Sequence, residues 1–309
     1  MVLGVHPPEY LARARSIVQD EIRAFESTCG RFRRNSELAL LNRSAGEWRA
    51  VSPLLGEVID AAVAVARRTG GAVDPTTSRL LVPVPVADAH DALDDEGRPH
   101  FPLGTSSHPC GLWRSVDRHP SKRAVRLPIG VHLDVSSIAG AMCVDRAARK
   151  VVAQLGGGAL VRIGGDVAIA GTPPGVGWRM GLTEGMLAVL SSGSLPGELG
   201  AFGLATATSG VMRTRLDRRR NSRSPHGVVA RGPDAAWQSV TSAATSCLEA
   251  RVAVDATLVW GSRAPRELSR LDAFTRMVDY SGKVRESGGG SERRGIGDRQ
   301  WRPMVLATA

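Results

Sequence analysis

Aromatic residues are scarce in this chain: Phe, Trp and Tyr make up 4% of 309 residues. Its core must therefore rest on Val, Leu, Ile and Ala. The four cysteines, Cys29, Cys110, Cys143 and Cys247, show neither C-x-x-C nor Cys/His spacing. That argues against a thiolate zinc site and leaves free or buried thiols in a reducing compartment, with Cys143 and Cys247 as small core residues. No apolar run reaches the ~18–20 residues needed to span a bilayer. The N-terminus shows no basic-then-apolar leader and no lipoprotein-type cysteine, so the expected location is cytoplasmic. No internal repeat is visible, and strands and helices alternate without a regular βαβ period, which favours an α+β fold over a doubly wound sheet.

The rest of the composition is ordinary for a soluble globular chain, with 42% hydrophobic and 23% charged residues. The length allows one large domain with a sizeable core. A net charge of +10 raises nucleic acid as a partner. Much of that excess lies in Arg213, Arg215, Arg218, Arg219, Arg220 and Arg223, with no aromatic residue interleaved to stack on bases. The run reads as a solvated loop or as one that attracts an anionic ligand such as a dinucleotide, and nucleic acid is not an expected partner.

Periodicity predicts a helix over 9–29, with Leu11, Ile17, Val18, Ile22 and Phe25 as its apolar stripe. Val2–Val5 reads as a short strand before it. A second helix covers 36–42, capped by Asn35 or Ser36, and a third covers 53–69, closed by Gly70-Gly71. Residues 83–122, rich in Pro, Asp, His and Ser, read as loops or a poorly packed insertion. Strands are expected at 123–128 and 131–135, a helix at 138–155 closed by Gly156–Gly158, and strands at 159–163, 167–170 and 178–182 continuing one sheet. A strand from Ser239, a helix over 246–260 ended by Gly261, and a strand or two between Leu271 and Tyr280 complete the fold. One domain is expected over 1–285, followed by a disordered polar tail over 286–309.

Five segments can carry chemistry, each weak alone. Gly70-Gly71-Ala72-Val73-Asp74 allows close backbone approach to a ligand, and Asp74 can accept hydrogen bonds. Asp134 begins a run that reaches Asp145-Arg146; those two charges read equally well as solvated helix residues. Ile163-Gly164-Gly165-Asp166 reads as a tight, mainly architectural turn. Thr208-Ser209-Gly210 is followed by His226, a residue type suited to taking a proton from a hydroxyl near neutral pH. Arg251 and Asp255, four apart on one helix, share a face and can pair.

In this order and with these gaps, together with Ser36-Glu37-Leu38 and Leu41-Asn42, the segments resemble the ApbE family of FAD:protein FMN transferases over roughly residues 2–285. The resemblance implies a single α+β domain with a mixed, mainly antiparallel sheet and packed helices. It implies FAD as substrate, held by Ala72, Val73, Asp74, Asp134, Thr208, Ser209 and Gly210. It also implies His226 as general base, an acceptor protein whose Thr or Ser hydroxyl receives FMN, and Mg²⁺ bound by Ser137 and Asp255.

The chain departs from the family at five places. Arg251 stands where the family has a metal-binding Asp, and Asp255 where it has Thr. Gly140 replaces a Lys, His226 lacks the Asp-Pro that usually follows it, and the Met-Gly-Thr of the usual first strand is missing. The arginine suggests a guanidinium in place of the cation, neutralising phosphate itself. Transfer of FMN from FAD with release of AMP is the leading expectation. The alternatives are an impaired FAD-binding protein and an FAD pyrophosphatase giving FMN and AMP. Acceptor and oligomeric state are not legible in the sequence.

Overall fold

Serine hydroxyls start three of the helices. Ser36 Oγ accepts from Ala39 N at 3.2 Å, Ser52 Oγ from Leu55 N at 3.2 Å, and Ser246 Oγ from Glu249 N at 3.1 Å. Each satisfies one of the amides that a helix N-terminus leaves unpaired. The computed structural model describes residues 1–30, 33–78, 111–119, 121–172, 174, 178–183, 186–190, 202–208 and 236–287. In chain order its elements are β1 (Val2–His6), α1 (Leu11–Cys29), α2 (Glu37–Arg43), β2 (Arg49–Ala50), α3 (Pro53–Arg68), β3 (Thr76–Ser78), β4 (Asp117–Arg118), β5 (Ala124–Arg126) and β6 (Val131–Leu133). Then follow α4 (Ser136–Leu155), β7 (Gly158–Ile163), β8 (Asp166–Gly171), β9 (Trp178–Thr183), β10 (Met186–Leu190), β11 (Phe202–Thr208), β12 (Trp237–Ala244), α5 (Cys247–Trp260), α6 (Ala264–Glu267), β13 (Ala273–Asp279) and β14 (Val284–Ser287). Helices mixed with antiparallel sheets make this an α+β fold, as expected.

Contacts among these elements gather into two units. The first takes Met1–Glu26 and the described residues from Ser137 onward. Its sheet runs β1-β7-β8-β11-β12-β13-β14, and every neighbouring pair is antiparallel. β7 and β8 form a hairpin whose two-residue turn, Gly164-Gly165, has Gly164 at φ 61°; glycine reaches that conformation without steric cost. Small side chains build the core on one face of this sheet: Ala14 and Val18 of α1, Ala141, Val144, Ala147, Ala148 and Val151 of α4, and Ala159, Val161, Ala168 and Ala170 of the hairpin. Alanine lets helices and sheet approach closely, which is how this unit packs without many rings. α5 lies over β11 and β12. It is buried at Ala250, Arg251, Val252, Ala253, Val254, Ala256 and Thr257, most of its circumference.

The second unit comprises the described residues of Ser27–Ser136. Here α3 buries Leu55, Val58, Ile59, Ala62, Val65 and Ala66. Two small sheets accompany it, β2-β5-β4 and β3-β6. Asn42 pairs with the backbone of Leu133 like a strand residue, donating from Nδ2 to its carbonyl at 2.9 Å and accepting its amide at 2.8 Å.

Several expectations are corrected. Leu11 is 47% exposed and Ala14 fully buried, so the inner stripe of α1 runs 14, 18, 21, 25. The end of the proline-rich stretch is ordered: Trp113, in a 3-10 turn at Leu112–Ser115, is buried, and Asp117–Arg118 pairs with β5. β9 does not continue the large sheet; it pairs with β10. β11, which no alternation announced, lies inside the large sheet. Glu286 and Ser287, placed in the tail by composition, close β14, and 288–309 lie outside the described residues.

Candidate functional site

In the second unit the loop after α3 is built by its own polar side chains. Gly70 and Gly71 have φ of 63° and 86°, which ends the helix as a glycine cap should. Thr69 Oγ1 donates to Val65 O at 2.9 Å and accepts from Val73 N at 3.1 Å. Asp74 Oδ1 accepts from Thr76 N and Oγ1 at 2.8 and 2.6 Å, and its Oδ2 accepts from Gly111 N at 2.8 Å. A Cβ on Gly71 would stand 3.3 Å from Trp113 Nε1, so the indole lies close against the glycine backbone. Asp74 therefore ties the start of β3 to Gly111 with its two oxygens, while Thr69 Oγ1 holds Val73.

Asp134, some sixty residues along the chain, is brought beside this loop. Its amide donates to Pro75 O at 2.8 Å, and Thr76 faces Leu133 in the β3–β6 ladder. Asp134 Oδ1 accepts from Ser136 N at 3.1 Å and Oγ at 2.6 Å, at the entry to α4. The ladder thus joins two of the sequence-predicted cofactor segments.

In the first unit α4 and α5 run antiparallel with polar contacts at two levels. At one level Asp145 accepts from the first amides of α5, Cys247 N at 2.8 Å and Leu248 N at 3.0 Å. It is a buried N-terminal cap, not a solvated helix charge. Burial pushes its carboxyl above the usual range, and the two amides pull it back. Neighbouring Arg146 reaches the buried Glu21 of α1 at 2.8 Å, and Lys150 pairs with the same carboxylate. At the other level the Ser137 side chain lies near the Asp255 carboxylate and favours its charged form.

Arg251 lies between these levels and is 1% exposed. Its Nε and Nη2 donate to Asp166 Oδ1 at 2.8 and 2.5 Å, and its Nη1 is 3.5 Å from Asp255 Oδ1. Burial pulls the guanidinium's pKa down, but the Asp166 and Asp255 carboxylates outweigh it and hold the group protonated. Burial raises the Asp255 carboxyl, with Arg251 opposing. Asp166 Oδ2, also buried, receives no hydrogen bond. Asp166, read from sequence as part of a turn, is the main partner of Arg251; its position directly after a glycine turn, entering a sheet, was the available signal.

The family-model comparison decides the relationship: the ApbE family model matches residues 4–275. The chain belongs to the ApbE family. Solved ApbE structures share the fold. The ApbE protein of Thermotoga maritima is 20% identical, with a TM-score of 0.68 over 93% of this chain and 92% of that one. Pseudomonas stutzeri flavinyl transferase ApbE in its apo form is 18% identical, with a TM-score of 0.62 over 89% and 86%. Flavin transferase ApbE from Vibrio cholerae is 18% identical, with a TM-score of 0.61 over 93% and 90%. No curated protein sequence matches.

Of the residues that the ApbE resemblance singles out, the structure thus joins Ala72, Val73 and Asp74 to Asp134, and Ser137 to Asp255. Thr208 ends β11, opposite Ser239 of β12. Ser209, Gly210, His226 and the arginine run 213–223 lie outside the described residues. The Mg²⁺ that the family implies does not fit the donors at Ser137 and Asp255. Magnesium wants an octahedron of hard oxygens, and Asp255 already faces a buried guanidinium. A dication about 2.1 Å from Asp255 Oδ1 would lie within about 6 Å of Arg251 Nη1, a repulsion on the order of 5 kcal/mol at an effective dielectric of about 20. The idea that Arg251 itself neutralises phosphate is also corrected, because its charge is directed at two carboxylates.

Proposed function

We propose that the chain is a transferase that moves FMN from FAD to a Thr or Ser hydroxyl of an acceptor protein. Membership of the ApbE family across residues 4–275 carries the reading. Supporting it, the likenesses to flavin transferases span nearly the whole chain. In this reading the acceptor oxygen attacks the FMN phosphorus, the pyrophosphate P–O bond to AMP breaks, and AMP leaves with the electron pair. His226 takes the hydroxyl proton. Ala72 and Val73 offer backbone groups to FAD beside Asp74, and Asp134 lies on the adjoining ladder. Thr208, Ser209 and Gly210 complete the flavin contacts. No step runs through a metal at Ser137 and Asp255.

Arg251, with its charge engaged by Asp166 and Asp255, favours a second reading: an FAD-binding protein that does not transfer. A chain that passes FMN to water, as an FAD pyrophosphatase, would use the same site. One experiment separates the three. The purified chain is incubated with FAD and a panel of Ser- and Thr-containing peptides, AMP and FMN are resolved by chromatography, and peptide-bound flavin is read by fluorescence. AMP matched by labelled peptide, and lost in His226→Ala, is the result expected. AMP with equal free FMN indicates hydrolysis, and bound FAD without AMP indicates the binding protein.

A further inference from the structure

We infer that Arg251 is the resident cation of this site, a structural replacement for a divalent ion, and that Ser137 and Asp255 take up no metal beside it. The inference deepens the reading above, since it concerns the cation position of the same site. A guanidinium that is 1% exposed is an internal group. It spans two carboxylates from different elements, Asp166 at the start of β8 and Asp255 on α5. A bound dication performs the same task, gathering acidic oxygens from separate segments, and two carboxylates would just neutralise it. Here one positive charge meets two negative ones, so the triad has no positive charge left over. An arginine is suited to the place because its planar fork satisfies two acceptors and stays charged when buried.

The surroundings fit a permanent occupant. Asp255 faces Arg251 Nη1 at 3.5 Å and has the Ser137 side chain as a further favourable neighbour. On the other side α4 contributes no side chain at Gly140, where a Cβ would stand 3.6 Å from Asp166 Oδ2. Asp166 Oδ2, on that side, is buried and receives no hydrogen bond. The site so built positions α5 against the sheet through ion pairing rather than through coordination, and its integrity is independent of metal supply.

The test reads metal uptake and stability rather than turnover, so it stands whether or not FMN is transferred. The full chain is stripped with chelator and titrated with Mn²⁺, followed by the electron paramagnetic resonance signal of free Mn²⁺ and by thermal melting. The wild-type chain is expected to bind no more Mn²⁺ than Asp255→Asn, and its Tm to be unmoved. Arg251→Asp, which places a third carboxylate with Asp166 and Asp255, is expected to take up about one ion per chain and to gain Tm with Mn²⁺. Uptake of one ion by the wild type that vanishes in Asp255→Asn overturns the inference. A folded Arg251→Asp chain indifferent to Mn²⁺ also overturns it. If Arg251→Asp does not fold, the comparison of wild type with Asp255→Asn decides alone.

Discussion

The α-carbon of Gly140 faces the one buried carboxylate oxygen among the described residues that no donor reaches: a Cβ there would stand 3.6 Å from Asp166 Oδ2. Gly140 lies inside α4, where glycine costs roughly 0.5–1 kcal/mol relative to alanine, and 3.6 Å is an ordinary contact distance. Gly140→Ala is therefore expected to stabilise the chain by about that amount in urea unfolding. Gly140→Ser adds a hydroxyl able to donate to Oδ2 and is expected to exceed the alanine variant. A serine variant less stable than the alanine one would show that Oδ2 is not in need of a donor.

Arg251→Met keeps the aliphatic stem and removes the charge. It leaves the buried Asp166 and the partly buried Asp255 without their shared cation, and breaking a buried pair from one side typically costs about 3–5 kcal/mol. Asp166→Asn retains a carbonyl acceptor and is expected to cost less than Arg251→Met. Denaturant midpoints of the two variants against wild type give the order.

Asp145→Ala strips the cap from α5. The buried Cys247 amide and the part-buried Leu248 amide lose their acceptor, for an expected loss of about 2 kcal/mol. Asp145→Asn retains an acceptor oxygen and is expected to recover part of it. Amide hydrogen exchange at the first turn of α5 should accelerate in the alanine variant more than in the asparagine one.

Cys29, Cys143 and Cys247 are buried. Burial, with Glu21 nearby, pushes the Cys143 thiol up to about 12 from an ordinary 9.0. In a Cys110→Ser chain, native thiols are expected to be silent to a disulfide reagent at pH 8, and all three to react in denaturant. The sign of the pH effect follows from the raised value. The contribution is whole below the unfolded pKa and is lost as pH rises towards the folded one. Between pH 9 and about 12 it falls by about 1.4 kcal/mol per unit, and Cys143→Ala should flatten that part of the slope.

Asp74→Ala removes the acceptor for Thr76 N, Thr76 Oγ1 and Gly111 N together. The turn that follows Ala72–Val73 then loses its tie to Thr76 and Gly111. FAD affinity, measured by flavin fluorescence, is expected to fall at least about tenfold, a change of roughly 1.4 kcal/mol. Unchanged affinity would take the loop out of the flavin site.

Much of this fold is legible where local chemistry dictates it. Ser36 and Ser246 cap helices, Gly70, Gly156 and Gly261 close them, and the stripe of α3 faces inward at nearly every apolar position. Leu11 misled because periodicity alone does not say where a core begins. β11 (Phe202–Thr208) went unread because small residues such as Gly203, Ala205 and Ala207 give no alternation of apolar and polar side chains. At the site, the i,i+4 spacing announced Arg251 with Asp255. Asp166 is 85 residues away in sequence, and its pairing depends on a hairpin and a helix meeting in space. Asp145 looked like a surface charge for the same reason, since its partners belong to a helix 102 residues further on.

The two levels of contact between α4 and α5 act as a gauge. Eight residues separate Ser137 from Asp145 on one helix, and eight separate Cys247 from Asp255 on the other. At 1.5 Å per residue both intervals measure about 12 Å. Inserting one residue into α4 between the two levels would turn Ser137 about 100° around the helix axis while Asp145 kept its grip on the start of α5. Chain-length changes here must therefore come in matched pairs on the two helices.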